Sequence, residues 1–370
     1  MLPFGGRARA AGRLPWGASF PRFFVHGALC LLVVLALSGC QTLSYYRQAI
    51  AGQCEILAHE QPIAKLLADP GTSSTLKTKL EQVLEIRRFA QDHLSLPVDN
   101  QYLKYVDLHR TYVVWNVNVA PALSLSPKTW WFPFVGQASY RGYFAEKDAR
   151  RYAATFERKG WDVYVDGVET YSTLGWLRDP VLSTFIDQSE AELAEVIFHE
   201  LTHQRLFVGG DTDFNEALAI AVSEEGVRRF LEATHQEAAY GQYRRDQEKE
   251  RQFVRLVMGA RARLAALYDE PQLSEASKRT GKAEIIAQLR ADYQQAKKHW
   301  SGQEKGYDYW CAQPINNAKL NTVSAYFDLV PGFQAMLRQE GGDLDRFFHA
   351  VQNLAKLPLE QRHQALRKFQ

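Results

Sequence analysis

Residues 199–203 read His199-Glu200-Leu201-Thr202-His203, an H-E-x-x-H inside a segment whose pattern predicts a helix. One helical turn separates the two imidazoles, so both leave the same face. Two neutral imidazoles placed in that way can share one Zn²⁺. Glu200 then stands beside the metal, where it can take a proton from a bound water. A catalytic zinc has three protein ligands and one open position, so a third ligand is expected nearby. Glu216 follows His203 after a spacer of twelve residues. It has a second reading, because Asp213-x-x-Glu216 has the form of a capping box in which Glu216 only satisfies a backbone N–H. Glu224 competes with it. Lying eight residues on, it is displaced by only about 80° on the same predicted helix. It is either the ligand or a group that supports a ligating imidazole. Asp211 and Asp213 are weaker rivals.

The elements that must hold these residues can be read from caps and periodicity. Ser189-Glu190-Ala191-Glu192 has capping-box form and starts a helix through both histidines, ending near Gly209-Gly210. A second helix is expected from Asp213 to Thr234. Upstream, Tyr112–Val119 and Tyr140–Phe144 read as strands, Glu146–Arg158 as a helix, and Trp161–Asp166 as a strand closed by a turn at Asp166-Gly167. A small β-sheet with one crossing helix therefore precedes the H-E-x-x-H. Residues 42–95 read as amphipathic helix broken at Asp69-Pro70-Gly71. Downstream, Phe253, Leu256, Val257, Ala260, Leu264 and Leu267 recur at helical spacing, and further helix is expected at 281–299, 332–339 and 344–355. The order predicts an α+β fold. Its expected parts are a leader at 1–39, a helical segment at 40–100, a catalytic core at 101–235 and a helical subdomain at 236–370.

Other side chains could serve the same site. Tyr171, Tyr143 and Tyr326 are candidates to bind a developing oxyanion, against a plain reading as core or interface aromatics. Trp130-Trp131-Phe132 either lines a substrate cleft or packs in a core or interface.

The N-terminus carries Arg7, Arg9, Arg13 and Arg22, then an apolar run from Phe23 to Leu37. The run ends in Leu37-Ser38-Gly39-Cys40, which resembles a bacterial lipobox. That resemblance implies cleavage before Cys40 and acylation of its thiol, and Gln41 in place of Asp favours outer-membrane sorting. The alternative is an uncleaved signal anchor. Either way the body is expected outside the cytoplasm, tethered to a membrane. Loss of residues 1–39 removes four of the 44 basic side chains and none of the 42 acidic ones. The slightly acidic remainder offers no nucleic-acid surface. Cys54 and Cys311 either pair or stay as two free thiols.

The chain also resembles a family of bacterial envelope lipoproteins described as predicted aminopeptidases. The matching residues are the lipobox, Gly142-Tyr143-Phe144, Tyr171-Ser172-Thr173-Leu174-Gly175-Trp176 with Asp179-Pro180, H-E-L-T-H, and the run Phe214 to Ala219. Asn316-Asn317-Ala318 to Tyr326-Phe327 completes the set. Asn215-Glu216-Ala217-Leu218-Ala219 is similar to the N-E-x-x-A of the gluzincins, in which the Glu is the third zinc ligand. The spacer here is shorter than in the well-known members. The resemblance implies a zincin-like core, one catalytic zinc on His199, His203 and Glu216, Glu200 as general base, and a peptide substrate in the periplasm. The metzincin pattern fails, because Leu206 stands where that family needs Gly. No G-A-M-E-N-like segment is present to hold a substrate's free amine, and Glu169 and Glu195 are the acidic candidates for that task. A non-catalytic envelope scaffold or peptide-binding lipoprotein on the same fold is the competing reading, and retention of Glu200 speaks against it. A structural zinc site fares worse, since such sites are closed by four ligands, often Cys.

Overall fold

Caps, glycines and prolines divide the chain into many short elements. This computed structural model describes residues 40–132, 136–170, 178–300, 305–323 and 327–369. The first elements are α1 (Cys40–Ala58), β1 (Gln61–Pro62), α2 (Ile63–Ala68), α3 (Ser74–His93) and β2 (Lys104–Val106). Next come β3 (Val114–Ala120), β4 (Trp130–Phe132), β5 (Gly136–Ala138), β6 (Tyr140–Tyr143), α4 (Glu146–Glu157), β7 (Asp162–Val168) and β8 (Val181–Leu182). Helices then dominate: α5 (Glu190–Arg205), α6 (Thr212–Ala233), α7 (Glu237–Asp269), α8 (Glu275–Lys297) and α9 (Lys305–Ala312). The last are α10 (Asn317–Asn321), α11 (Val330–Gln339), α12 (Leu344–Ala355) and α13 (Leu359–Arg367). The chain is mixed α+β and mostly helical. No described helix is long and apolar enough to cross a membrane.

The chain divides into two units at Ile50, and the described residues from Ala51 onward form one compact unit. The segments 101–235 and 236–370 thus fall within one unit. Its largest apolar cluster draws on α3, α5, α6, α11 and α12, with Leu80, Phe198, Phe214, Phe230, Phe333 and Phe347 fully enclosed. A second cluster joins α7, α8 and α9 through Phe253, Leu264, Leu289, Tyr293 and Cys311. Cys54 is exposed, Cys311 is buried, and both are free thiols. Burial pushes the Cys311 thiol up to about 11, so it stays protonated.

In place of one expected sheet, the described residues form two three-stranded sheets, in the orders β6-β3-β7 and β1-β2-β8, and the hairpin β4-β5. Strands of two or three residues are too short to show alternation, which is why β1, β2 and β8 escape a sequence reading. The turn expected at Asp166-Gly167 is instead the end of β7, paired to Val168 opposite Val114. Gly167 is there because the Tyr112 ring lies over it, 2.4 Å from where a Cβ would stand. The histidine helix stops at Arg205, ahead of the expected Gly209-Gly210, where Leu206 swings into an extended conformation.

Candidate metal centre

The two histidines sit in the last turns of α5. Its first turn is fixed by a reciprocal cap, in which Ser189 Oγ accepts from the Glu192 N–H (3.3 Å) and Glu192 Oε2 accepts from the Ser189 N–H (2.9 Å). Leu193, Ile197 and Leu201 are fully buried and hold one face of α5 against the core. His199 and His203 leave α5 towards α6.

Helix α6 is placed by three devices. Asp211 is its N-cap and accepts from the Phe214 N–H at 3.2 Å. The expected cap at Asp213 is therefore displaced by two residues, and Glu216 takes no capping role. The buried Asp211 also accepts from His363 Nε2 (2.9 Å) and pairs with Arg362 (3.4 Å), so α13 clamps the start of α6. Asn215 clips the connecting loop with both ends of its amide: Oδ1 accepts from the Val208 N–H and Nδ2 donates to the Val208 carbonyl, each at 2.8 Å. Gly210, at φ +81°, supplies the left-handed turn within that clip. These contacts let a twelve-residue spacer turn α6 back against α5. The two helices meet closely at Gly226, where a Cβ would come within 2.6 Å of the Phe198 ring.

The result is a convergence of three donors. His199 Nε2 lies 3.1 Å from Glu216 Oε2 and 3.2 Å from His203 Nε2. His203 Nε2 lies 3.6 Å from Glu216 Oε1. Among the described residues, His199, His203 and Glu216 form the group able to hold a metal ion, with ligand atoms within 4.8 Å of one another. Burial would raise the Glu216 carboxyl, but hydrogen bonds and charge from both histidines outweigh it and hold the group well below its ordinary range. Burial would lower the His199 imidazole, and the Glu216 hydrogen bond with the charges of Glu200 and Glu216 raises it instead. Glu200 is half-buried beside His199, and its charge also reaches the enclosed Tyr102 phenol.

The remaining sequence candidates disperse. Glu224 hydrogen-bonds Gln334 Nε2 at 2.6 Å and pairs with Arg251 at 3.6 Å, away from the three donors. Asp213 is likewise outside the group. Glu169 accepts from Gln188 at 2.9 Å. Glu195 accepts from Tyr243 and Gln247, both at 3.1 Å, and burial followed by the Glu250 charge pushes it up to about 7. Tyr143 is a buried strand residue stacked on Tyr152. Trp130 hydrogen-bonds Tyr152 and Trp131 is exposed, so this hairpin is not part of the cleft wall described below. Tyr171 and Tyr326 lie outside the described residues. Cys40 opens α1.

A cleft of about 500 Å³ opens on His199 and Glu216. Its walls include Glu250 and Phe253 of α7, Trp310 of α9 and Phe327. Sequence reasoning missed these residues. Phe253 carried only the periodic signal of a core position, and Glu250 stood in a charged run that reads as a solvated face.

The family described as "Putative aminopeptidase" matches this chain over residues 44–366. No curated protein and no solved structure matches it.

Proposed function

This chain belongs to the "Putative aminopeptidase" family, and from that premise we propose that it is a zinc-dependent peptidase built on a zincin-like core. The observation that carries the reading is the spacing of the three donors. A tetrahedral zinc with bonds of about 2.0–2.2 Å sets its ligand atoms roughly 3.3–3.6 Å apart. The separations here are 3.1, 3.2 and 3.6 Å. Two imidazole nitrogens and a carboxylate that converge so closely call for a cation between them. Three ligands, with no fourth among the described residues, leave a position open, as a catalytic site requires. His199, His203 and Glu216 would hold the ion. Bound zinc would supply a Lewis acid that polarises a carbonyl and acidifies water.

The chain's own residues do the proton work. Glu200 takes a proton from the water that adds to the peptide carbonyl carbon, and gives it to the leaving nitrogen as the C–N bond breaks. Water is consumed and two shorter products with an amine and a carboxylate leave. The peptide lies in the cleft against Phe253, Trp310 and Phe327. In our reading Cys40 carries the lipid and holds the body on the periplasmic face of the envelope, at the outer membrane.

Glu200→Gln tests the scheme. It should retain zinc, because Glu200 is not a ligand. It should lose activity by about 10²–10⁴-fold, the usual worth of proton transfer. Wild-type turnover by a zinc-loaded Glu200→Gln protein would remove Glu200 from the mechanism.

A further inference from the structure

We propose that Lys319 is a positioning residue that fixes the Trp310 ring as a wall of the cleft, and that this wall selects peptides with an aromatic side chain beside the cleaved bond. The inference deepens the peptidase reading and rests on it for the identity of the ligand. Lys319 lies on α10 and is fully buried. Taking an ammonium out of water is costly unless the protein solvates it instead. Its Nζ donates to the Trp310 carbonyl at 2.7 Å and stands 4.7 Å from the centre of the Trp310 ring. One atom thus holds both the backbone and the ring of a single residue. The Tyr164 ring of β7 lies 5.0 Å from the same atom. Both ring distances suit a cation–π contact. Asp166 acts on Lys319 through its charge, while its carboxylate accepts from the Tyr164 hydroxyl at 3.2 Å. Burial lowers the ammonium to about 8 against Cys311 and Asp166, which raise it, and Arg290 adds to the fall. It therefore stays mostly protonated at neutral pH.

Lys319 can grip α9 because α10 is itself pinned. Asn316 Nδ2 donates to the Val163 carbonyl of β7 at 2.8 Å, and Asn317 Nδ2 donates to the Pro121 carbonyl at the end of β3 at 3.0 Å. Trp310 lines the cleft and Lys319 does not, so the cation holds the ring from outside the cavity. Phe253 meets Trp310 edge-on at 5.1 Å and Tyr307 in a tilted stack at 4.7 Å. All three rings line the cleft and form one corner of it. Ile220, one turn after Glu216 on α6, carries the apolar lining to the metal end. An aromatic side chain next to a peptide bond held at that end finds stacking and edge-to-face partners in these rings. An alanine methyl offers them little surface.

Binding in a protein that does not turn over separates this inference from the peptidase reading. The zinc-loaded full chain with Glu200→Gln is titrated calorimetrically with tetra-alanine and with alanine tetrapeptides that carry one phenylalanine at each position in turn. Phenylalanine at one position should tighten binding by about 10–100-fold, the discrimination an apolar pocket gives. Adding Lys319→Met should cut that advantage by about tenfold, within the range of a desolvated cation–π contact, and change tetra-alanine affinity far less. Lys319→Arg, which keeps the charge and a donor, should restore most of the advantage, and Trp310→Leu should abolish it. Lys319→Gln keeps a donor without the charge and takes the place of Lys319→Met if that variant does not fold. Thermal melts and zinc content show that each form is folded and loaded. No phenylalanine advantage at any position overturns the proposal, as does an advantage that survives the loss of the Lys319 charge or of the Trp310 ring. Equal weakening of the phenylalanine and alanine peptides overturns it too, because Lys319 would then only hold the fold. Selective binding with no cleavage of any of these peptides by the wild-type chain would sink the peptidase reading alone. Wild-type cleavage with no preference for phenylalanine would sink the Lys319 role alone.

Discussion

At the scale of single residues the site turns on which carboxylate completes the histidine pair. Glu216 and Glu224 are two turns apart on α6, and helical spacing alone cannot rank them. The fold does, because Glu216 meets both imidazoles while Glu224 turns to Gln334 and Arg251. Glu216→Ala should therefore strip zinc or weaken it severely. Glu224→Ala should cost little, at most the roughly 10-fold low end of an outer-shell effect. Competition titrations with a chromophoric chelator read both values. The reverse ranking would move the ligand to Glu224. Glu200 and the two histidines are legible in sequence because one helical turn fixes their relation. Glu250 on the cleft wall is not, because other residues that line the cleft come from α5, α6 and α9, and no local spacing records that meeting.

At the scale of elements the centre is held by contacts that the sequence marks only in part. The capping box at Ser189 and Glu192 is readable, since it is closed within one turn. The brace on α6 is not. Asp211 lies next to the glycines that mark a loop, and its partners Arg362 and His363 arrive from the far end of the chain. All three are largely buried, with Asp211 only 3% exposed. Asp211→Ala removes a cap and leaves a buried guanidinium without its counter-charge. It should destabilise the protein by about 3–5 kcal/mol in denaturant melts. It should also weaken zinc, because Glu216 stands in the second turn of the uncapped helix. A loss below about 0.5 kcal/mol, typical of an exposed site, would show that α13 does not brace the centre. The strand reading fails for the same kind of reason. The Val114–Ala120 strand is clear from its β-branched and aromatic residues, while β1, β2 and β8 exist only through partners distant in sequence.

At the scale of the whole molecule the reading joins a zinc site in Ala51–Gln370 to an anchor ahead of it. If Cys40 is lipidated, the mature chain starts there and partitions with membranes, since more than one acyl chain gives stable attachment. Cys40→Ser should leave an unacylated precursor and keep peptidase activity, because the three donors lie far downstream. An N-terminal mass of the membrane form decides it, and an unmodified Cys40 would remove the anchor while leaving the metal centre standing. The central claim is that one zinc on His199, His203 and Glu216 is required for peptide cleavage. The most direct measurement strips the purified full chain with a chelator and returns zinc in steps while cleavage of a free-amine peptide library is followed. The account predicts no cleavage without metal and a plateau at one zinc per chain. Undiminished cleavage by the stripped protein, or none at full zinc occupancy, would contradict it.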